Sequence, residues 1–469
     1  MADIEKVENV ILGGGEPGKY IAWELARQGR RTVVVERGLI GGACPNVACL
    51  PSKNVINSAK VADLVRHGTQ YGLRTGPVAT DMAGVRRRKR EMVDGLVEIH
   101  RRRFAANGLE FLLGDGRFAA PSTIEVRLAA GGARRIEAER VFLDLGTHAT
   151  VPDIPGLAAA APLTHVEALE LDRLPEHLIV LGGGYVGVEF AQAYRRFGSR
   201  VTVVEYGSQL LAREDPDVAE AVRAIFEEDG IEVIVGAETQ SVDGRSGDRV
   251  RIHVRTAAGE RALEGSDVLV ATGRAPNTKG IGLDLAGVEL DPRGYIKVDE
   301  RLETSAPAVW AMGECAGSPQ FTHAGFDDFR VVRDNLAGGK RTTRDRLIPY
   351  CAFIDPELGR VGLNETEAKQ KGVDVRVVQL AMASVLRARS ITETRGFMKV
   401  LLDTRSDRIL GFMMLGPEAG EVIAVVQTAM LAGLPYTGLR DAIFTHPTMA
   451  EGLNVLFASA PAASAGKGQ

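Results

Sequence analysis

The chain has 469 residues, of which 45% are hydrophobic and 25% are charged, so it is long enough for two to four globular domains. Its net charge of -4 argues against a nucleic-acid-binding surface as its main function. Neither an 18-residue apolar run nor a secretory signal pattern is visible, so the sequence predicts a cytoplasmic protein without nucleic-acid or membrane partners.

The N-terminal stretch "KVENVILGGGEPGKYIAWELARQGRRTVVVER" predicts a strand, a glycine turn, a helix and a second strand. Gly13, Gly15 and Gly18 form a G-x-G-x-x-G pattern at the turn. Such glycines permit a tight turn, backbone approach to a pyrophosphate, and close packing of helix on strand. Glu36 ends the second strand, where a carboxylate accepts hydrogen bonds from ribose hydroxyls. The unit therefore predicts a dinucleotide site.

Two of the four cysteines, Cys44 and Cys49, follow in "GGACPNVACLPSK". Structural disulfides are rare in the cytoplasm, so this pair indicates redox or metal chemistry. Five residues of ideal helix rise about 7.5 Å, beyond the disulfide limit of roughly 7 Å, so a bridged pair requires a distorted turn at a helix start. The scattered cysteines and histidines disfavour a zinc site, and a pair of inert core cysteines stays open as an alternative. Lys53 is a candidate cation for lowering a thiol pKa.

Residues 55–112 are predicted to be mostly helical, with basic runs at 86–90 and 101–103. We expect these runs to form the solvated face of a long amphipathic helix, with binding of an acidic partner as the alternative. Two strands are predicted next, in "STIEVRL" and "RRIEAERVFLDLG", before "VPDIPGL" leads into a new unit.

The new unit, "EHLIVLGGGYVGVEFAQAYRRFGSRVTVVEYG", repeats the first pattern. Gly182, Gly184 and Gly187 form its glycine turn, and Glu205 follows at the same offset as the acid of the first unit. One such pattern is a weak signal, but two copies with matching acids predict two dinucleotide sites. "DVLVATGRAPNT" closes the unit, with Gly273 at a turn after a buried strand.

From about residue 348 the pattern changes to that of a separate α+β domain. "IPYCAFIDPELGRVGL", "GFMKVLLD" and "RILGFMMLG" are predicted strands, and helices follow them. The small-residue tail "ASAPAASAGKGQ" is predicted to be disordered.

The cysteine motif resembles that of the pyridine nucleotide–disulfide oxidoreductases, which include dihydrolipoamide dehydrogenase, glutathione reductase and mercuric reductase. "ATGRAPN", "AMGE" and "HPTMAE" resemble the family's other motifs in the expected order, and the resemblance covers about residues 5–458. It implies an α/β fold with two Rossmann-like dinucleotide-binding domains and a C-terminal α+β dimerisation domain. It also implies a homodimer.

The resemblance implies a division of the chain into three domains. An FAD-binding domain would be built from two parts, residues 1–150 and 274–345. An NAD(P)-binding domain would occupy residues 151–273, and the dimerisation domain residues 346–469, including the predicted disordered tail.

The resemblance assigns FAD to the first glycine unit and NADH to the second, with NADPH possible. The residues implied to bind FAD are Gly13, Gly15, Gly18, Glu36, Gly42, Lys53, Gly146 and Glu314. The residues implied to bind the nicotinamide cofactor are Gly182, Gly184, Tyr185, Gly187, Glu205 and Gly273. Tyr185 is expected either to gate the nicotinamide near the flavin or to fill the loop at the surface. A carboxylate at Glu205 favours NADH, because it repels a 2′-phosphate.

Catalytic roles also follow from the resemblance. Cys49 corresponds to the cysteine nearest the flavin, and Cys44 to the cysteine that attacks the substrate. Lys53 is expected to pair with Glu189 of "GVEFA" beside the flavin.

The resemblance also implies that His446 and Glu451 form an acid–base pair, and that the pair of each subunit completes the active site of the other subunit.

Three departures from the family pattern stand out. "LDLGTH" at 143–148 replaces "ATG", Glu314 replaces an Asp that meets the ribityl chain of FAD, and Phe444 replaces a His found in many dihydrolipoamide dehydrogenases.

The first predicted function is electron transfer from NAD(P)H through FAD to a Cys44–Cys49 disulfide, and on to a small-molecule or lipoyl-type disulfide, as in dihydrolipoamide dehydrogenase. The alternative is a stress-linked reductase that passes electrons through the same thiols to a metal ion such as Hg or Cu, a quinone or a reactive electrophile. A non-enzymatic redox sensor is the third hypothesis. The second glycine unit and the "HPT" motif disfavour it, because a sensor needs neither.

Overall fold

The structure, a computed structural model, describes residues 4–106 and 108–461. The predicted disordered tail lies outside these residues from position 462 onward. None of the helices within the described ranges is long and apolar enough to cross a membrane.

The N-terminal unit is built around a sheet whose central strands are buried on both faces. Its elements are β1 (Ile4–Leu12), α1 (Glu16–Arg27), β2 (Thr32–Glu36), α2 (Ala43–Asn46), α3 (Cys49–Arg66), α4 (Met82–Ala106), β3 (Glu110–Ala120), β4 (Thr123–Leu128), β5 (Ala133–Leu143) and β6 (Thr147–Ala149). β1 pairs in parallel with both β2 and β5, and β3 lies parallel to β2. β4 joins β3 and β5 by antiparallel pairing. The glycine turn after β1 therefore opens at the carboxyl edge of a parallel sheet, where such folds bind nucleotides.

The second unit repeats this arrangement on a smaller sheet. Its elements are α5 (His165–Glu170), β7 (His177–Leu181), α6 (Tyr185–Phe197), β8 (Arg200–Val204), α7 (Pro216–Glu228), β9 (Glu232–Ile234), β10 (Glu238–Arg245), β11 (Arg249–Thr256), β12 (Gly259–Gly265), β13 (Asp267–Val270) and β14 (Arg274–Pro276). The parallel sheet has the order β13-β7-β8-β9, and β10, β11 and β12 form a separate antiparallel sheet. A second carboxyl edge thus carries the second glycine turn.

After the second unit the chain returns to the first sheet. β15 (Val309–Ala311) pairs in parallel with β5, and α8 (Thr322–Leu336) packs against α1. The first sheet consequently takes strands from both sides of the second unit, and α8 brings residues from position 322 onward next to the first glycine turn.

The C-terminal domain has an antiparallel sheet flanked by helices. Its elements are β16 (Tyr350–Ala352), β17 (Leu358–Gly362), α9 (Glu365–Gln370), β18 (Val375–Ala381), α10 (Leu386–Ser390), β19 (Phe397–Asp403), β20 (Ile409–Leu415), α11 (Ala419–Leu431), α12 (Tyr436–Arg440) and α13 (Gly452–Ala458). The strand order is β16-β17-β20-β19-β18. Two Rossmann-like units followed by an α+β domain are the architecture that the sequence predicts.

The first basic run differs from its prediction. We expected a solvated helix face at 86–90, but the Lys89 side chain is only 1% exposed and forms an ion pair with Glu170 of α5. Arg86 pairs with Asp172 at 2.8 Å and Arg90 pairs with Glu170 at 2.6 Å. The run therefore joins the first unit to the second, with Lys89 buried, whereas Arg87, Arg88 and Arg90 are exposed, as expected. The side chains at 101–103 are exposed, as expected.

Candidate active site

The cysteine motif folds as two helices with a break between them. α2 ends at Asn46, Ala48 leaves helical geometry with φ -129° and ψ -107°, and Cys49 opens α3. The break allows the Cys44 and Cys49 side chains to hydrogen-bond to each other, which a continuous helix does not allow at this spacing. The two cysteines are not bridged in the structure.

Gly42 packs the cysteine motif against the first glycine turn. A Cβ atom on Gly42 would lie 2.5 Å from the Cα atom of Gly15, and Gly42 has a φ of +84°. Only glycine fits such an approach without displacement of the backbone. The thiols are thereby held beside the N-terminus of α1.

The two thiols differ in their affinity for the proton. The hydrogen bond from Cys44 is the main cause that lowers the pKa of Cys49, and the Thr322 hydroxyl at 3.2 Å adds to it. The charge of Lys53 lowers this pKa further. The pKa of Cys44 is raised, because its proton is shared with Cys49 and because it is buried. Cys49 is thus the thiolate of the reduced pair and Cys44 the thiol.

Thr322 is a site residue that the sequence analysis missed. It begins α8, and the preceding "SPQF" gives no local signal for a contact with a thiol. Its hydroxyl reaches Cys49 only because α8 packs against α1 of the first unit.

Lys53 and Glu189 meet where the two glycine units adjoin. The Lys53 Nζ lies 2.7 Å from Oε2 of Glu189, which is 7% exposed. The other carboxylate oxygen accepts the backbone N–H of Phe353 at 2.8 Å. One carboxylate therefore connects α3, α6 and the C-terminal domain next to the thiols.

The acid of each glycine unit caps its own glycine turn. Glu36 Oε2 accepts the N–H of Gly14 at 2.8 Å. In the second unit, Glu205 accepts the N–H of Gly183 at 2.5 Å and that of Gly207 at 2.6 Å. The repeat seen in the sequence is thus also a repeat of geometry.

Close packing explains why Gly13, Gly18 and Gly187 in the two turns are glycines. A Cβ atom on Gly13 would lie 2.0 Å from the Asp144 carbonyl oxygen, and one on Gly18 would lie 2.4 Å from the Gly13 carbonyl oxygen. A Cβ on Gly187 would lie 1.9 Å from the carbonyl oxygen of Gly182.

Glu314 is directed toward the strand that follows the first sheet. Its Oε2 accepts a hydrogen bond from the Thr147 hydroxyl and lies 3.4 Å from Arg274 Nε. Gly146, with a φ of +63°, precedes Thr147, and Gly273, with a φ of +125°, precedes Arg274. The antiparallel pair β6 and β14 brings these two predicted glycines to one crossing between the units.

His446 and Glu451 form a hydrogen-bonded pair in the C-terminal domain. The imidazole Nδ1 lies 2.9 Å from each carboxylate oxygen, which leaves Nε2 as the nitrogen that can exchange a proton. The His446 side chain is 62% exposed. Within residues 4–106 and 108–461, no hydrogen bond connects this pair to Cys44 or Cys49.

Comparison with known proteins places this geometry in a family. The family model for pyridine nucleotide-disulphide oxidoreductases matches residues 7–328, and the model for the dimerisation domain of that family matches residues 348–456. The chain belongs to the pyridine nucleotide-disulphide oxidoreductase family. Its dimerisation domain supports the predicted homodimer.

Individual members of the family are similar along nearly the whole chain. A probable pyridine nucleotide-disulfide oxidoreductase of Escherichia coli, RclA, is 37% identical over 97% of this chain and 99% of its own. Dihydrolipoamide dehydrogenase of Chaetomium thermophilum is 33% identical over 94% of this chain and 88% of its own. A solved Cu(II) complex of RclA, described as an HOCl-induced flavoprotein disulfide reductase, superposes with a TM-score of 0.88 at 36% identity, over 97% of this chain and 99% of the other.

Membership confirms several of the predictions. The family consists of FAD-dependent enzymes that use NAD(P)H, so the predicted enzyme class, cofactors and fold class are confirmed. The predicted function, a flavoprotein disulfide reductase, agrees with the similar proteins.

The second glycine turn fits a nicotinamide dinucleotide. A Cβ atom on Gly184 would meet nothing within 4 Å, so the turn leaves open space over its backbone. That glycine is the N-cap of α6, whose first N–H groups and dipole attract a diphosphate.

The first glycine turn fits FAD if the carboxyl group of Asp144 is neutral. Asp144 stands in "LDLGTH", the stretch that departs from the family pattern, and its Oδ2 accepts the N–H of Gly18 at 2.9 Å. Burial raises the pKa of Asp144 to about 8, and the charge of Glu36 adds to the increase, whereas the hydrogen bond from the Gly18 N–H and the charge of Lys19 oppose it. The carboxyl is therefore neutral at pH 7 and does not repel a diphosphate at the start of α1.

We expect the affinity for FAD to fall at alkaline pH. If only the neutral form of Asp144 accepts the diphosphate, a pKa of about 8 implies a dissociation constant about tenfold higher at pH 9 than at pH 7. Asp144→Asn should bind FAD with nearly equal affinity at both values. Fluorescence titration of the apoprotein with FAD measures this. An equal pH dependence in the wild type and in Asp144→Asn would contradict the role of Asp144.

Thr322→Val should raise the pKa of Cys49 by about one unit, because the variant loses a hydroxyl that stabilises the thiolate. Thiolate absorbance of the reduced apoprotein, followed against pH, measures the midpoint. Thr428→Val is the matched control, because the Thr428 hydroxyl donates to the Ala424 carbonyl within α11. A midpoint that is the same in all three proteins would show that Thr322 has no such effect.

Proposed function

We propose that the protein catalyses reduction of a small-molecule or lipoyl-type disulfide by NADH, with Cys44 and Cys49 as the redox-active pair. The hydrogen-bonded dithiol with a lowered Cys49 pKa, next to the Lys53–Glu189 ion pair, supports this proposal most strongly. Bound FAD supplies the means to take hydride from NADH and to pass two electrons to the Cys44–Cys49 disulfide. Reduction of that disulfide yields the thiolate of Cys49 and the thiol of Cys44.

The chain's own residues account for the steps at sulfur. Cys44 loses its proton and attacks one sulfur of the substrate disulfide, which releases one substrate thiolate and forms a mixed disulfide. The Cys49 thiolate then attacks the Cys44 Sγ, which releases the second thiolate and restores the Cys44–Cys49 disulfide. The raised pKa of Cys44 means that the first step needs a base.

We assign that base to His446 of the partner subunit's C-terminal domain. Glu451 holds the imidazole through Nδ1, so Nε2 takes the proton of Cys44 and returns it to a leaving substrate thiolate. The exposure of His446 on its own chain supports a role across a subunit interface.

We also propose that the residues of the two glycine units bind FAD and the nicotinamide cofactor as predicted, and that the domains have the predicted boundaries. Tyr185 is proposed as the gate of the nicotinamide site.

We expect NADH to be preferred over NADPH by at least about tenfold in kcat/KM, which corresponds to ~1.4 kcal/mol. Glu205 repels a 2′-phosphate, and two of the arginines that follow the second glycine turn in the sequence are engaged elsewhere. Arg196 pairs with Asp355 at 2.6 Å, and Arg195 donates to the Asp229 carbonyl oxygen at 2.8 Å. Steady-state rates with both cofactors test this. A tenfold preference for NADPH would overturn it.

A second candidate is reduction of a metal ion by the same thiols. The solved RclA complex with Cu(II) favours it, since that protein is similar over 97% of this chain. Thiolates bind soft metal ions such as Cu(I) strongly. NADH oxidation with lipoamide, glutathione disulfide, Cu(II), Hg(II) and quinones as oxidants separates the two candidates. Turnover with a disulfide supports the first, and turnover with metal ions alone supports the second. Absence of sustained turnover with every oxidant would support the third hypothesis, a redox sensor.

A further inference from the structure

Glu214 lies between the second glycine turn and the C-terminal domain. Its Oε1 accepts two hydroxyl groups at 2.7 Å each, one from Tyr185 and one from Tyr350 of β16. The Glu214 side chain is only 1% exposed. Burial raises the pKa of both phenols, so both remain hydrogen-bond donors. A single buried carboxylate thus holds the proposed nicotinamide gate.

The Tyr350 side of this contact is fixed. The Tyr350 ring stacks on the Phe321 ring, with centroids 5.5 Å apart and an angle of 3° between the ring planes. Arg360 lies over the same ring at 5.1 Å and donates from Nε to the Tyr350 hydroxyl. Arg360 is also 3.4 Å from Glu214 Oε2 and donates to Glu367 at 2.9 Å. Neither Tyr350 nor Arg360 can move without breaking several contacts.

The backbone around Glu214 is fixed as well. The Arg213 carbonyl accepts a hydrogen bond from Asn364 at 2.9 Å. Asp215 accepts the N–H groups of Glu365 at 3.1 Å and Thr366 at 3.0 Å. Residues 213–215 are therefore held against the C-terminal domain on both sides of Glu214.

Tyr185 is the partner that can move. It is the first residue of α6, directly after Gly184, and its side chain is half-buried. It meets the Tyr350 ring edge-on, with ring centroids 5.5 Å apart and an angle of 66° between the ring planes. Among the described residues, the polar partners of its hydroxyl are Glu214 and the Tyr350 hydroxyl.

We propose that Glu214 is a positioning residue that holds the Tyr185 ring in a closed position, so that the nicotinamide enters only when the Tyr185–Glu214 hydrogen bond breaks. The proposal rests on the proposed role of Tyr185 as the gate. When only a fraction of the protein is open, the apparent dissociation constant is the intrinsic one divided by that fraction. Weakening the contact should therefore tighten binding of the cofactor.

Binding of 1,4,5,6-tetrahydro-NADH, which cannot donate hydride, to the oxidised holoenzyme tests this by calorimetry. Glu214→Gln removes the charge that accepts both hydroxyls, and Tyr185→Phe removes the hydroxyl of the gate. A hydroxyl–carboxylate hydrogen bond is strong enough that each variant should lower the dissociation constant about tenfold. The double variant should bind no more tightly than either single variant, because both remove the same contact.

Tyr194→Phe is the matched control. It lies on the same helix and loses a hydroxyl that donates to the Ala168 carbonyl oxygen at 2.5 Å, away from the gate. Its dissociation constant should equal that of the wild type. The limiting rate of flavin reduction by NADH, measured by stopped flow, should stay within about twofold in Glu214→Gln, because only access to the site changes.

Unchanged binding in Tyr185→Phe, or additive effects in the double variant, would overturn the proposal. Should Glu214→Gln fail to fold, Tyr185→Phe alone decides, since it breaks the same hydrogen bond from the other side. Failure of the proposed function has a different signature. In that case the wild-type holoenzyme neither binds the analogue nor is reduced by NADH.

Discussion

Cys49→Ser should separate the two half-reactions of the enzyme. The variant keeps both glycine turns and the Lys53–Glu189 ion pair, so electrons from NADH should still reach ferricyanide at a rate within about twofold of the wild type. Reduction of a disulfide substrate should fall by about a thousandfold or more, because serine cannot form the Cys44–Cys49 disulfide. Parallel assays with ferricyanide and lipoamide on one preparation measure both rates.

Cys351→Ser is the control for this experiment. Cys351 is a free cysteine outside the pair whose thiol pKa is raised by burial, so it should not react at neutral pH. Its replacement should leave both rates nearly unchanged. If Cys49→Ser retained full activity toward the physiological oxidant, electrons would leave from the flavin directly and the thiols would not be required.

A mixed dimer of Cys44→Ser and His446→Ala chains should regain activity that neither parent has. In each parent homodimer both sites lack one of the two groups. If His446 serves the partner's Cys44, the heterodimer contains one site with both groups intact and should show about half of the wild-type disulfide reductase activity. Coexpression with two affinity tags isolates the heterodimer, and lipoamide reduction measures its activity.

The ferricyanide rate is the internal control of the mixed-dimer experiment. It should be near the wild-type rate in all three dimers, because neither variant touches a glycine turn. A purified heterodimer that is no more active than its parents toward disulfides, yet has a normal ferricyanide rate, would show that His446 and Cys44 do not cooperate across subunits.

Local pattern was sufficient to predict the two dinucleotide units. Gly13 and Gly187 must be glycine because of backbone atoms only a few residues away or on the neighbouring strand, and such requirements leave a regular spacing in the sequence. Glu36 ends β2, Glu205 directly follows β8, and both reach back to the glycine turn of their unit, so their offset from the glycines is fixed by the fold.

Contacts between residues that are far apart in the chain could not be predicted from local sequence patterns. Thr322 is 273 residues from Cys49, and nothing in its surroundings marks it as a thiol ligand. The departure at 143–148 was visible, but not that the Asp144 carboxyl lies in the glycine turn. Lys89 was expected in solvent because its partner Glu170 is 81 residues away on another unit. The Lys53–Glu189 pair came from family resemblance alone, as 136 residues separate its members.

The central claim is that electrons from NADH reach the Cys44–Cys49 disulfide, and thiol labelling tests it most directly. The air-oxidised holoenzyme is mixed anaerobically with one equivalent of NADH, quenched in denaturant with an alkylating reagent, and analysed by mass spectrometry. We predict that Cys44 and Cys49 become alkylated only after NADH is added, whereas the other two cysteines of the chain, Cys315 and Cys351, are alkylated equally with and without NADH. A flavin that is reduced by NADH while Cys44 and Cys49 stay bridged, or a pair that is already fully alkylated before NADH is added, would contradict the account.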